Sequence, residues 1–242
     1  MTTKTTYTKT IHSSKVDFSL RASIVSMIGD VLAIAGEDAD LKDFGVQKIN
    51  AENHSWVLSR MALDVYRLPC RYEKIYITTW VNDYGRMMTT RNFTVNDENN
   101  RRIFAAVTQW AMIDLSTRQP VDLRSVDEYG QYLCEEPSPI DNPRKVPQIN
   151  PEQVAIHKVV YSDIDFNGHV NALRYLTLMF DLLPIETIST TEPAHLEVNF
   201  LQESQYGDTL SVGYEKRDST WIFEIKNQHN AAICRASIRW ES

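Results

Sequence analysis

Tyr161-Ser162-Asp163-Ile164-Asp165-Phe166-Asn167-Gly168-His169-Val170-Asn171, continued by Ala172-Leu173-Arg174-Tyr175-Leu176-Thr177-Leu178-Met179-Phe180-Asp181-Leu182, joins a dense polar segment to an apolar one. In the apolar part Val170, Leu173, Leu176, Leu178, Met179 and Leu182 recur at helical spacing, which predicts one substantial helix. Segments rich in Val, Ile, Thr, Phe, Tyr and Trp follow at residues 194–201, 209–216, 220–227 and 231–240 and read as strands. Turn signals separate them at Gly207-Asp208, Arg217-Asp218-Ser219 and His229-Asn230. The stretch therefore opens a helix followed by an antiparallel meander.

The first half of the chain repeats the series. Ile24, Val25, Ile28, Val31, Leu32 and Ala35 predict a helix over 22–35, and strands are expected at 55–66, 74–84, 87–95 and 103–113. Leu63-Asp64-Val65 is echoed by Leu196-Glu197-Val198, 133 positions on, and Tyr72 matches Tyr206 with a one-residue slip. Both halves close on a tryptophan, Trp110 and Trp240. One long helix and an antiparallel sheet that wraps its apolar face around it is an α+β pattern, the shape of a hotdog domain. Two copies make a tandem (double) hotdog, and joining them edge to edge would bury the exposed sheet edge of a single copy.

Between 115 and 153 the apolar periodicity fades, and Pro120, Pro137, Pro139, Pro143, Pro147 and Pro151 accumulate. Proline removes a backbone donor and restricts its neighbour, so this interval reads as a linker, with a short helix near 125–133. The expected organisation is an N-terminal domain over 1–120, a linker over 121–152 and a C-terminal domain over 153–242. A chain of 242 residues suffices for two cores of roughly 100 to 130 residues each.

Composition excludes several classes. The net charge is -7 and no basic block exceeds a pair such as Arg101-Arg102 or Arg144-Lys145, so there is no electrostatic footprint for nucleic acid. Three widely spaced cysteines, Cys70, Cys134 and Cys234, give neither a disulfide framework nor a CxxC motif. Residues 1–15 lack an apolar core and an arginine, and no run of about 18 apolar residues occurs anywhere, so a cytoplasmic protein without membrane insertion is expected. His12, His54, His157, His195 and His229 are scattered without ligand spacing, and no GxSxG elbow or phosphate-binding glycine loop is present. No metal and no cofactor are expected.

The chemistry is expected in the quoted segment. An N-cap with a tight Gly168 turn and a satisfied histidine is the plain structural reading. Against it, Asp165, Asn167 and His169 alternate along a short segment at a helix start. There the partial positive charge and unpaired amides would stabilise the oxyanion formed when water attacks a thioester carbonyl.

YSDIDFNGHVNALRY resembles the D-x-N-x-H-V-N segment of the acyl-acyl carrier protein thioesterases, the plant FatA and FatB type and their bacterial relatives. FSLRASIVSMIGDVLAIAG with SWVLSRMALDVYRLPCRYEKIYITTWV resembles the N-terminal hotdog domain of that family, and LEVNFLQESQYGD the segment after its C-terminal helix. The resemblance implies hydrolysis of a fatty acyl thioester on acyl carrier protein, releasing free fatty acid. It implies the catalytic set Asp165, Asn167, His169 and Glu203, the last in FLQES. It further implies that the N-terminal domain binds the acyl chain and that the partner is acyl carrier protein; Met27, Ile28, Trp56, Met61, Trp80, Met87 and Met88 are expected as core, some of them lining an acyl tunnel.

Ser204 stands where plant members often carry a cysteine, which removes a thiol nucleophile. The N-terminal half has no DxNxH segment, so its counterpart site is expected to be dead. In the expected mechanism Glu203 acts as general base on a water held with Asn167, while His169 and helix-start amides polarise the carbonyl and Asp165 orients its neighbours. Attack by Glu203 to form an anhydride is the alternative. An acyl-CoA thioesterase is the second functional reading, a hotdog dehydratase a third, and a non-catalytic acyl-binding protein a fourth. Chain length and saturation preference, the carrier-docking residues and homodimerisation are left open.

Overall fold

Both helices expected from apolar spacing form, and each begins behind a polar cap. In the computed structural model, which describes residues 3–125, 127–151, 153–190 and 192–241, α1 (Ile24–Leu41) starts where the Ser23 hydroxyl accepts from the Ser26 amide. A short α2 (Val46–Ala51) follows. The second long-expected helix, α3 (Ala172–Phe180), is capped by Asn171, whose side chain accepts from the Leu173 amide, and is followed by α4 (Ile185–Thr190).

The chain divides into two compact units, Met1–Pro143 and Arg144–Ser242. The first contains β1 (Lys4–Thr10), β2 (His54–Val65), β3 (Lys74–Tyr84), β4 (Thr89–Asn96) and β5 (Arg102–Asp114), antiparallel in the order β1-β3-β4-β5-β2. The second contains β6 (Gln153–Lys158), β7 (Glu192–Phe200), β8 (Thr209–Arg217), β9 (Thr220–Asn227) and β10 (Ala232–Glu241), in the order β6-β8-β9-β10-β7. The two orders are the same series. Each unit is a hotdog fold: one helix held against the apolar face of a five-stranded antiparallel sheet.

The eight strands expected from β-rich composition are present within a few residues of their expected ends. The sequence did not reveal β1 and β6. Each lies at one end of its unit's sheet order, and β6 is exposed at all but one position. A strand with so little buried surface carries no apolar alternation to read.

Register explains why the helices sit where they do. Residues paired across strands share a face, so Met61, Leu63, Ile77, Phe93, Val95 and Phe104 line one side of the first sheet with Arg91. They are buried, as are Met27, Ile28, Val31 and Ile34 of α1. In the second unit Leu196, Val198, Val212, Phe223, Ile225 and Ala236 form the equivalent face, and Tyr175, Leu176 and Met179 of α3 are buried.

The interval expected to link the halves is taken up by the two sheets. Cys134 donates its amide to Val81, Trp80 Nε1 donates to the Glu136 carbonyl at 2.9 Å, and Asn82 bonds Ser138, all within the first unit. A turn of 3-10 helix at Asp127–Tyr132 stands where a short helix was expected. In the second unit the Arg144 and Val146 amides donate to Glu197 and Asn199, and Val146 and Ile149 pack on Ile222. No helix among the described residues is long and apolar enough to cross a membrane.

One buried charge cluster fixes α1 to the first sheet. Asp38 accepts from Lys42 Nζ at 2.9 Å and from Arg91 at 2.6 Å, and all three residues are buried. Burial pushes the Asp38 carboxyl up, but Arg91 and then Lys42 outweigh it and hold the group below the ordinary aspartate value. Its stabilising contribution is therefore complete above the unfolded-state value of roughly 4 and is lost as pH falls through the depressed folded value. Asp38→Ala would strand two buried cations. We expect a loss of about 3–5 kcal/mol in urea-denaturation stability, and a loss below about 1 kcal/mol would show that the cluster is not what secures α1.

Candidate active site

The quoted polar segment folds into a turn closed on itself. After a 3-10 turn at Tyr161–Asp163, Ile164 and Val170 form an antiparallel bridge, the Asp165 amide donates to the His169 carbonyl at 2.8 Å, and the Gly168 amide returns to the Asp165 carbonyl at 3.1 Å. Gly168 has φ +79°, in the region that favours a residue without Cβ. The Asp165 carboxylate accepts the Asn167 amide at 2.8 Å and the His169 amide at 3.3 Å. Its role is to shape the turn, as an Asx turn does.

Two backbone links attach this turn to the chain that follows β7. The Val170 amide donates to the Ser204 carbonyl at 2.8 Å, and His169 bridges Gln205 antiparallel. Glu203 lies just ahead, and its Oε2 is 3.3 Å from His169 Nε2. Both side chains are partly exposed, so they are open to a substrate. Of the four expected residues, the structure thus brings His169 and Glu203 into contact and sets Asp165 behind them. Asn167 is exposed on the turn, with no side-chain hydrogen bond to the described residues.

The expected supply of oxyanion donors is smaller than the helix start suggests. The amides of Asn167, Gly168, His169, Val170, Asn171, Leu173 and Arg174 all have acceptors within the chain. Among the described residues of the turn and helix start, the amides of Phe166 and of Ala172, the first residue of α3, are without one. Beneath Glu203, Ser204 and Tyr175 are buried, and burial pushes the Tyr175 phenol up to about 12. Burial likewise raises the Cys234 thiol, so that it stays protonated. Ser204, Tyr175 and Cys234 are thus uncharged.

The sequence missed two features. The first is Asp163, a buried carboxylate that His157 Nε2 approaches at 2.7 Å, although His157 reads as isolated along the chain. The second is a copy of the whole turn in the first unit. There the Asp17 amide donates to the Arg21 carbonyl at 3.0 Å, the Asp17 carboxylate accepts the Ser19 amide at 2.8 Å, and the Ala22 amide donates to Pro69 at 2.8 Å. Arg21 bridges Cys70 as His169 bridges Gln205. The only sequence signal was Val16-Asp17-Phe18 against Ile164-Asp165-Phe166.

This copy sets the internal alignment. Cys70, whose amide donates to Glu73, corresponds to Gln205, whose amide donates to Asp208, an offset of 135 positions. The Leu63-Asp64-Val65 echo, at 133, is out of register by two, a slip that keeps every side chain on its face. By the structural register Ser19, Arg21, Leu68 and Pro69 of the first unit stand where the second has Asn167, His169, Glu203 and Ser204.

Residues 2–130 match the family model for the acyl-ACP thioesterase N-terminal domain, and residues 148–242 match that for the C-terminal domain. An oleoyl-acyl carrier protein thioesterase of Coriandrum sativum is 28% identical over 197 residues, covering 75% of this chain and 53% of the relative. The chain spans about half the length of the curated plant relatives it matches. A solved acyl-ACP thioesterase from Bacteroides thetaiotaomicron is 35% identical with a TM-score of 0.89, over 99% of this chain and 98% of that one. The 12:0-ACP thioesterase from Umbellularia californica shares the fold at a TM-score of 0.91, with 17% identity, over 100% of this chain and 98% of that one.

Leu20, at φ +60°, holds the position in the first turn that Gly168 holds in the second. Copying that residue as Gly168→Leu places a side chain in open space, since no atom lies within 4 Å of the new Cβ, so only backbone strain is added. The expected cost is about 1–2 kcal/mol by chemical denaturation. No cost would mean that the turn relaxes and that φ does not constrain it.

Proposed function

The chain belongs to the acyl-ACP thioesterase family, and from that premise we propose that it hydrolyses the thioester of a fatty acyl group on acyl carrier protein, releasing free fatty acid and ending chain elongation. The observation that carries the reading is the 3.3 Å contact between His169 and Glu203, two partly exposed side chains brought together by a turn that Asp165 shapes.

Glu203 takes a proton from water as that water attacks the carbonyl carbon, with the Asn167 amide group holding the water. His169 and the Ala172 amide receive the developing oxyanion. The carbon–sulfur bond then breaks, and the sulfur leaves as the carrier's thiol with the proton that Glu203 took up. Asp165 fixes the backbone of Asn167 and His169 and does not meet the substrate. Ser204, buried below, offers no competing nucleophile.

The first unit serves as the acyl-chain holder. Its turn has lost the amide, the imidazole and the carboxylate, while the apolar side chains of Met27, Ile28 and Met61 are buried. Cytoplasmic residence accords with three free thiols, Cys70 exposed, Cys134 half-buried and Cys234 buried.

Thiol release and free-acid formation from a panel of acyl carrier protein thioesters, beside matched acyl-CoAs, test the proposal. Hydrolysis should favour the carrier-bound substrate. Glu203→Ala and His169→Ala should each lose roughly 100- to 10,000-fold in kcat while keeping the parent's circular dichroism. Activity on CoA esters alone would make the protein an acyl-CoA thioesterase, and binding without release would remove it from the enzymes.

A further inference from the structure

Four polar residues account for the chemistry above, yet a fifth, Asp163, is buried with its side chain 1% exposed under the same turn. Its Oδ2 accepts the Val160 amide at 2.8 Å and meets His157 Nε2 of β6 at 2.7 Å. Its Oδ1 forms an ion pair with Arg174 Nε, in the first turn of α3, at 2.7 Å. Its backbone is engaged as well, donating to the Val160 carbonyl at 3.0 Å and accepting the Asn171 amide at 2.8 Å. Asp163 thus ties β6, the 3-10 turn and α3 to one point, and Asp163 and Asn171 bracket the residues that carry Asp165, Asn167 and His169.

The first unit provides an internal comparison. Lys15 has the same backbone links, its amide to His12 at 2.9 Å and its carbonyl from Ser23 at 3.0 Å. Its side chain, however, is a cation paired with Asp30 of α1 at 2.9 Å, and an ammonium cannot accept an amide proton. The fold of the turn therefore does not require a buried anion. Such an anion is costly unless paired, and apolar replacements of buried ion pairs are often as stable. It is present in the unit that has Asn167, His169 and Glu203, and absent from the unit that has Ser19, Arg21 and Leu68.

We propose that Asp163 is a positioning residue of the reaction: with His157 and Arg174 it locks both ends of the 163–171 turn, so that Asn167 and His169 are held in register with Glu203. The proposal rests on the thioesterase reading. A displacement of about 1 Å at a reacting centre costs roughly 100-fold in rate. The lock should therefore govern kcat and leave substrate binding alone.

Asp163→Asn keeps the size of the side chain and an acceptor for Val160 while removing the charge. On acyl carrier protein substrates, kcat should fall by roughly 100-fold with KM nearly unchanged. Arg174→Gln should lose most of the same kcat, and Arg174→Lys, which restores the cation, should recover most of it. This pair decides the matter if Asp163→Asn does not fold. In hydrogen exchange on the folded proteins, amides of 165–171 should exchange faster in the charge-removing variants while β9 and β10 keep their protection. Parental kcat, a rise in KM that matches the fall in kcat, no recovery in Arg174→Lys, or unchanged exchange across 165–171 would each overturn the lock. Exchange is read without substrate. A parent protein inactive on every thioester would thus sink the thioesterase reading, and exchange alone would then decide the lock.

Discussion

The hydrogen bond from the Val170 amide to the Ser204 carbonyl is the constraint on which the second unit's site depends. It fastens the turn before α3 to the chain leaving β7, two segments more than thirty residues apart in sequence. Without it, His169 and Glu203 would belong to separate loops. The same fastening, Ala22 to Pro69, exists in the first unit, with Leu68 where the second unit has Glu203. Backbone geometry therefore comes first in this fold, and chemistry is written onto it by the side chains.

That separation makes the two units controls for one another. Wherever a feature occurs in both, such as the amide-to-carboxylate link inside the turn or the serine and asparagine caps, it serves the fold. Wherever it occurs in one, it needs another reason. Met27 and Tyr175 occupy matching helix positions, and both are buried. The tyrosine buries a hydroxyl, at a cost of about 1–3 kcal/mol if unpaired, which a methionine avoids.

How far this was legible in the sequence follows from what each element buries. The helices and eight strands could be read because each turns a regularly spaced set of residues to a core, which imposes a period on the sequence. β1 and β6 could not, since an end strand such as Lys4–Thr10 has little to bury. In the candidate site, Asp165, Asn167, His169 and Glu203 were readable as residue types in a recognisable order, and the contact between the last two follows from the structure. Asp163 carries no signal along the sequence because its partners, His157 and Arg174, reach it only once β6 and α3 meet. The first unit's turn escaped because backbone hydrogen bonds define it, and only Asp17 and Phe18 match between the copies. The surplus of free amides expected at the start of α3 failed for a similar reason: turns that look open in sequence satisfy their own donors.

The prolines between the units have a bearing on how such genes can be recombined. The interval is two straps, each lying on the sheet of its own unit: one held to β3 by Trp80, Val81 and Asn82, the other to β7 by Glu197 and Asn199. A chimera of two relatives crossed over between Pro143 and Arg144 would inherit each sheet together with its strap. A crossover near 120 or 152, at the visible limits of the proline-rich stretch, would pair a sheet with a foreign strap and leave buried polar groups facing the wrong partners. The seam for shuffling the two halves lies inside the stretch, at a point the composition does not mark.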